Sequence, residues 1–141
     1  PKDDIYIGMY GSDGATLPMN YSGITHVVNN GSTVSFPRFY LRGPGRVEWI
    51  ENQTNHKTMY LNLSLQTNEE VFIDTAKGTI ESTVRGSLLY AIAAGSDFRS
   101  FVLVPGDNKI ACLMVNDVNA IVQIYHQPAH WSVDATAGGE D

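Results

Sequence analysis

The sequence predicts an all-β protein, an antiparallel sandwich or barrel of about eight to ten short strands. Three observations carry that expectation. Apolar and polar residues alternate at period two, whereas stripes at helical spacing are hard to find. Runs rich in β-branched and aromatic residues recur about every ten positions. The segments between them are made of Asn, Gly, Pro and Asp, which accept turn geometry.

Residues 1–23 read as an N-terminal arm or linker. Positions 5–10 have strand composition, but Gly8, Gly11, Gly14 and Gly23 argue for a loosely held segment. Residues 24–28 open the main body and are followed by the turn Asn29-Asn30-Gly31. Residues 34–41 come next. Pro37 has no N–H to give a ladder, so 36–41 is expected to be an edge strand or one interrupted by a bulge. The turn Gly43-Pro44-Gly45 leads into a strand over 47–50. The clearest strand follows: Met59, Leu61, Leu63 and Leu65 share one side, and Tyr60, Asn62, Ser64 and Gln66 the other. Thr67-Asn68-Glu69 then supplies a hairpin loop into Val71-Phe72-Ile73. Residues 86–94 are ambiguous. Gly86 and Gly95 bound a piece too short for a stable helix, which favours a strand. Strands over 101–104, 110–115 and 120–125 complete the set, separated by Pro105-Gly106-Asp107-Asn108 and by Asn116-Asp117-Val118-Asn119. The strand-bearing domain is therefore placed at 24–134, and 135–141, small and acidic, reads as a flexible tail.

Composition narrows the class further. A 141-residue chain with 43% hydrophobic residues has enough apolar surface for one core, and its Gly and Pro follow no collagen-like period. No run approaches the roughly 20 apolar residues of a membrane helix. With 9 Lys+Arg against 15 Asp+Glu, a net charge of -6 and no basic cluster, neither nucleic acid nor a membrane is expected as a partner. The single Cys112 lies in an apolar run, Ile110-Ala111-Cys112-Leu113-Met114-Val115, and is read as a buried thiol. The start at Pro1, without signal-peptide regions, suggests a domain cut from a longer polypeptide.

Signals for chemistry are weak. His126 and His130 are four apart, but Pro128 breaks the helical face a metal site would need. Asp74 ends a strand, where its carboxylate suits the N–H groups of the next turn better than acid–base work, which would require a second carboxylate beside it. There is no phosphate loop, nucleophile elbow or Ser/His/Asp set. Four Asn-x-Ser/Thr triplets, at Asn20, Asn30, Asn52 and Asn62, are read as by-products of an Asn- and Thr-rich β protein. No catalytic, cofactor-binding or metal-ligating residue is assigned. The aromatics admit two readings, core packing or a sugar-stacking platform on a sandwich face. On the second reading Trp49, Trp131 and Tyr125 are the candidate saccharide contacts, and the domain is a carbohydrate-binding module. A capsid-like or secreted jelly-roll is a further alternative.

The order of the pieces resembles the C-terminal domain of siphophage tail proteins, the distal tail protein group and its prophage relatives. The likeness runs over about 24–134. It is carried by Gly31-Ser32-Thr33-Val34-Ser35-Phe36-Pro37, by Gly43-Pro44-Gly45 and by the Asn- and Thr-bearing segment from Ile50 to Met59. Val71-Phe72-Ile73-Asp74-Thr75, the stretch from Phe101 through Pro105-Gly106-Asp107-Asn108 to Ile110, and the aromatic end from Val122 to Trp131 continue it. His126, Ala129 and Asn55-His56 depart from the pattern. The resemblance implies a galectin-like, jelly-roll-like sandwich in a non-enzymatic baseplate component of the virion. It also implies a separate ring-forming N-terminal domain, hexameric in the full-length protein, that joins the tail tube to a receptor-binding or adhesion protein. Gly43, Pro44, Gly45, Asp74, Pro105, Gly106 and Asn108 are then expected to specify turns, host-wall saccharide is a second candidate partner, and the isolated domain should be a monomer or weak oligomer. If the gene belongs to a prophage, the protein would occupy the bacterial cytoplasm before assembly.

Overall fold

The computed structural model describes residues 14–16, 24–92, 94–115 and 120–126. Within them lie the strands β1 (Gly14–Thr16), β2 (Thr25–Asn29), β3 (Arg38–Arg42), β4 (Gly45–Asn52) and β5 (Lys57–Leu65). β6 (Glu70–Asp74), β7 (Thr79–Ser82), β8 (Gly86–Ser87), β9 (Gly106–Val115) and β10 (Ile121–Tyr125) follow. They form two antiparallel sheets, a six-stranded one in the order β1-β10-β3-β6-β7-β8 and a four-stranded one in the order β2-β9-β4-β5. The fold is a β-sandwich.

Period-two alternation fills the space between the sheets. Phe39 and Leu41 of β3, Val71 and Ile73 of β6, and Val122 and Ile124 of β10 face inward from one sheet. Met59, Leu61, Leu63 and Leu65 of β5, with Ile110, Cys112 and Met114 of β9, meet them from the other. Phe101 packs edge-on against Phe39, centroids 5.6 Å apart at 77°. Each fully buried Leu, Ile or Phe in such a core stabilises the fold by roughly 1.5–3 kcal/mol.

β4 breaks the alternation. Its buried residues Val47 and Ile50 are three apart, because the register slips between Val47 and Trp49. Against β9, Glu48 is an extra residue between the partners Met114 and Leu113. Against β5, Leu61 and Asn62 lie between the partners Tyr60 and Leu63, opposite that same Glu48. Asn62 takes a left-handed φ of 47° there.

Four sequence expectations need correction. Thr67-Asn68-Glu69 does not close a hairpin: β5 and β6 belong to different sheets, and the loop carries the chain between them. β3 is not an edge strand, since β10 and β6 flank it. Pro37 precedes it, and the Pro37 carbonyl accepts from Thr75 N (3.3 Å) and Thr75 Oγ1 (2.7 Å). Among the described residues of 86–94 there are only the two-residue β8 and then a 3-10 turn over Leu89–Ala91, with Leu88 buried beside it. Residues 101–104 are not a strand but a segment with one bridge, Ser35 to Leu103, because asparagine side chains take several of their backbone groups. Positions 5–10, 116–119 and 135–141 lie outside the described residues. Of the expected arm, 14–16 pairs with β10.

The outer edge of β5 is filled by other parts of the chain. Asp97 accepts from Thr58 N and donates its own N–H to Thr58 O. Ser96 Oγ accepts from Tyr60 N and donates to Tyr60 O, and Arg85 Nη2 donates to Ser64 O.

Candidate functional site

The most heavily bonded side chain among the described residues is Asn108, fully buried on β9. Its Nδ2 donates to the carbonyls of Val27 (3.2 Å), Val104 (2.9 Å) and Gly106 (3.0 Å). Its Oδ1 accepts from Val104 N (2.9 Å) and from Asn52 Nδ2 (3.1 Å). Asn52, also fully buried, donates to Val102 O and accepts from Thr54 N. Asn29, 2% exposed, donates to Thr33 O and Leu103 O and accepts from Gly31 N. Three asparagines thereby pin residues 101–105 across β2, β4 and β9. Amide side chains suit this work because each both donates and accepts, so irregular backbone can be buried without orphaned groups.

The Pro105-Gly106-Asp107-Asn108 turn is tighter than its four residues suggested. Gly106, Asp107 and Asn108 already belong to β9, paired with Asn29, Val28 and Val27. Gly106 has φ 98°, a conformation that L side chains rarely adopt, although a Cβ there would meet nothing within 4 Å. At the other turn, Gly43 is constrained by space. A Cβ on it would run into the Gln66 carbonyl oxygen and stand 2.7 Å from Leu65 Cβ. Gly43 N–H donates to Glu69 O and Gly43 O accepts from Asn68 N, so the two sheet-crossing loops brace each other. The Gly43–Pro44 peptide is cis, and Gly45 begins β4. Asp74 closes β6 and accepts from Lys77 N at 3.0 Å in the turn to β7.

A second polar cluster was not singled out from the sequence. Glu69 is fully buried, and its Oε1 accepts from Gln66 N (2.8 Å) and Arg85 Nη2 (2.9 Å). Its Oε2 accepts from Arg85 Nε (2.7 Å) and from Ser82 Oγ. Burial pushes the Glu69 carboxyl up, but the hydrogen bonds of Arg85, Ser82 and Gln66, with the charge of Arg85, outweigh it and hold the group below its ordinary value. The cluster ties the end of β5 to β7 and β8, hence one sheet to the other. Its only sequence signal was Glu69 beside a loop, with the partner Arg85 sixteen residues on.

The three saccharide candidates do not converge. Trp49 lies on the outer face of the four-stranded sheet, opposite Tyr60 in the register. Tyr125 lies on the outer face of the six-stranded sheet, only 5% exposed, in a cluster with Tyr40 and Phe72. Trp131 is outside the described residues. Trp49 instead shares a shallow groove of about 540 Å³ with Glu51, Thr58, Tyr60 and Leu113.

Cys112 is fully buried, and burial pushes its thiol up to about 12. Asn52, the head of one Asn-x-Thr triplet, is closed to modification in the folded state by the same burial. Among the described residues no group of three or more His, Cys, Asp or Glu is placed to hold a metal ion.

A sandwich with capped turns, a pinned loop and a filled edge is a structural module in class. Over residues 30–130 the chain matches the family model for the siphovirus-type tail component, C-terminal domain, and it belongs to that family of phage tail proteins. Among solved structures it is similar to the Dit protein of phage SPP1, described as a paradigm of the hub adsorption apparatus in phages that infect Gram-positive bacteria. The TM-score is 0.58 at 12% identity, over 81% of this chain and 46% of that one. The chain thus spans about half the length of that protein, and the likeness bears on the fold. No curated protein matches.

Proposed function

We propose that this domain is the outward-facing, rigid sandwich of a distal tail protein, which docks or spaces host-adhesion proteins at the tail tip. The family match over 30–130 carries the reading. The side chains with the most bonds support it, since Asn29, Asn52, Asn108, Glu69 and Arg85 all hold the frame. On this reading the domain is non-enzymatic and works by stiffness and shape. It resides in the virion, its partners are the tail tube and a receptor-binding protein, and a hexameric ring formed elsewhere in the full-length protein sets its copy number. Repetition around a ring multiplies weak contacts through effective concentration.

Cross-linking of intact phage particles through surface lysines, followed by mass spectrometry, tests the placement. Links from Lys57, Lys77 or Lys109 to tail-tip proteins are expected. Links confined to capsid proteins would overturn it.

A further inference from the structure

We propose that residues 5–10, Ile5-Tyr6-Ile7-Gly8-Met9-Tyr10, lie across the outer face of the six-stranded sheet and cover Tyr40, Phe72 and Tyr125. These three rings project from β3, β6 and β10 away from the four-stranded sheet, because the alternate residues Phe39, Leu41, Val71, Ile73 and Ile124 face the core. An open face would leave such large side chains partly in water. Tyr40 and Tyr125 are nevertheless only 8% and 5% exposed, and no outward residue of β3, β6 or β10 is exposed. Glu70, on the same face, is 2% exposed. Its Oε2 accepts from Tyr40 Oη at 2.8 Å, whereas its Oε1 has no partner among the described residues. A buried carboxylate oxygen in that position calls for a donor from a further layer. The face is an interior surface, and its cover has to bring both apolar side chains and N–H or O–H groups.

Connectivity selects the segment. β1 pairs with β10 at the rim of this sheet, Gly14 opposite Tyr125, so the residues before Gly14 leave the sheet beside the Tyr125 ring. The eight residues back to Tyr6 reach about 27 Å when extended, whereas β6 lies two strand spacings, roughly 10 Å, from β10. Every side chain of 5–10 except Gly8 is apolar or aromatic, and its backbone amides and tyrosine hydroxyls can supply the donor for Glu70 Oε1. Residues 17–23 are used in crossing to β2, where Thr25 Oγ1 donates to Thr16 O, and 116–119 join β9 to β10. Residues 127–141 also leave beside Tyr125, but Trp131 and Val133 are their only large apolar groups. The arm is then a third layer of the domain instead of a loose lead-in. The assignment goes beyond the proposed position in the tail, because contacts within one chain and links between particle proteins fail separately.

The test is nuclear Overhauser spectroscopy on the full chain. Cross-peaks from Tyr6, Ile7, Met9 or Tyr10 to the rings of Tyr40, Phe72 or Tyr125 are expected. In an extended segment Tyr6 and Ile7 point to opposite sides, so Tyr6→Asp combined with Ile7→Asp spoils either orientation. That variant should lose the cross-peaks and shift the ring signals of Tyr40 and Tyr125. Chymotrypsin cleavage after Tyr10 should become about tenfold faster or more, as the undocked population rises. The core methyl signals of Leu63 and Ile110 should stay in place, which separates undocking from unfolding. Cross-peaks from the three rings to 17–23 or 127–141 in place of 5–10, or to a second copy in a mixed-labelled sample, would overturn the assignment. So would rings without cross-peaks to 5–10, or cleavage after Tyr10 at one rate in both proteins.

Discussion

At the scale of the residue, Asn108 joins four parts of the molecule through one buried amide. Its three donated and two accepted hydrogen bonds bridge β2, β4, β9 and the 101–105 segment. Asn108→Asp keeps the shape but removes every side-chain donor and faces three carbonyls with a charge. A loss on the order of 3 kcal/mol or more is expected, read as a lower denaturant midpoint at unchanged slope. Gly106→Val tests a different cause. Space is open around that position, so backbone strain at φ 98° acts alone and should cost about 1–2 kcal/mol, a few degrees of melting temperature. Cys112, with its thiol at about 12, should resist Ellman's reagent at pH 8 until the protein unfolds. Fast modification of folded protein would contradict its burial. Asn108 stood out in the sequence as a turn residue because Pro105-Gly106 precedes it. Asn52 and Asn29 were not legible as loop-binding residues, since a buried asparagine and a surface one look alike in one sequence until the segment that needs their amides is placed.

At the scale of the element, the join between sheets at Glu69 and Arg85 is the point most sensitive to acid. The carboxyl of Glu69 titrates lower in the folded protein than in the unfolded chain. Its stabilisation is therefore complete above the ordinary carboxylate range and disappears as pH falls through the lowered folded value. Melting temperature against pH should fall in that acid window for the wild type and fall less for Glu69→Gln. Arg85→Ala, which leaves Glu69 buried without its cation, should cost about 2 kcal/mol or more at neutral pH. β5 was the most legible element, because Met59, Leu61, Leu63 and Leu65 alternate without a break. β4 held a signal that period two alone could not use: the three-residue step from Val47 to Ile50 is the bulge written in the sequence. The supposed hairpin at 67–69 failed for a physical reason. A short polar loop satisfies the local geometry of a turn equally well within one sheet or between two, and only long-range pairing of β6 with β3 decides.

At the scale of the whole molecule, composition and spacing were enough for an all-β sandwich or barrel, and the ordered likeness over 24–134 was enough for the family and, through it, the sandwich. Strand order was not readable, because the pairs that build each sheet, such as β4 with β9 and β2 with β9, join residues far apart in the chain. The domain is expected to sediment as a monomer or weak oligomer at micromolar concentration. A tight symmetric dimer or a closed shell would mark it as a self-assembling unit and contradict its proposed place in the tail.

The filled margin of β5 bears on life at high copy number. Wherever several copies crowd together, a bare strand would invite its neighbour to zip on, and the next after that, until fibres formed in place of discrete particles. Ser96, Asp97 and Arg85 occupy the Thr58 and Tyr60 backbone groups and the Ser64 carbonyl in advance, so this margin offers a neighbouring strand little to pair with.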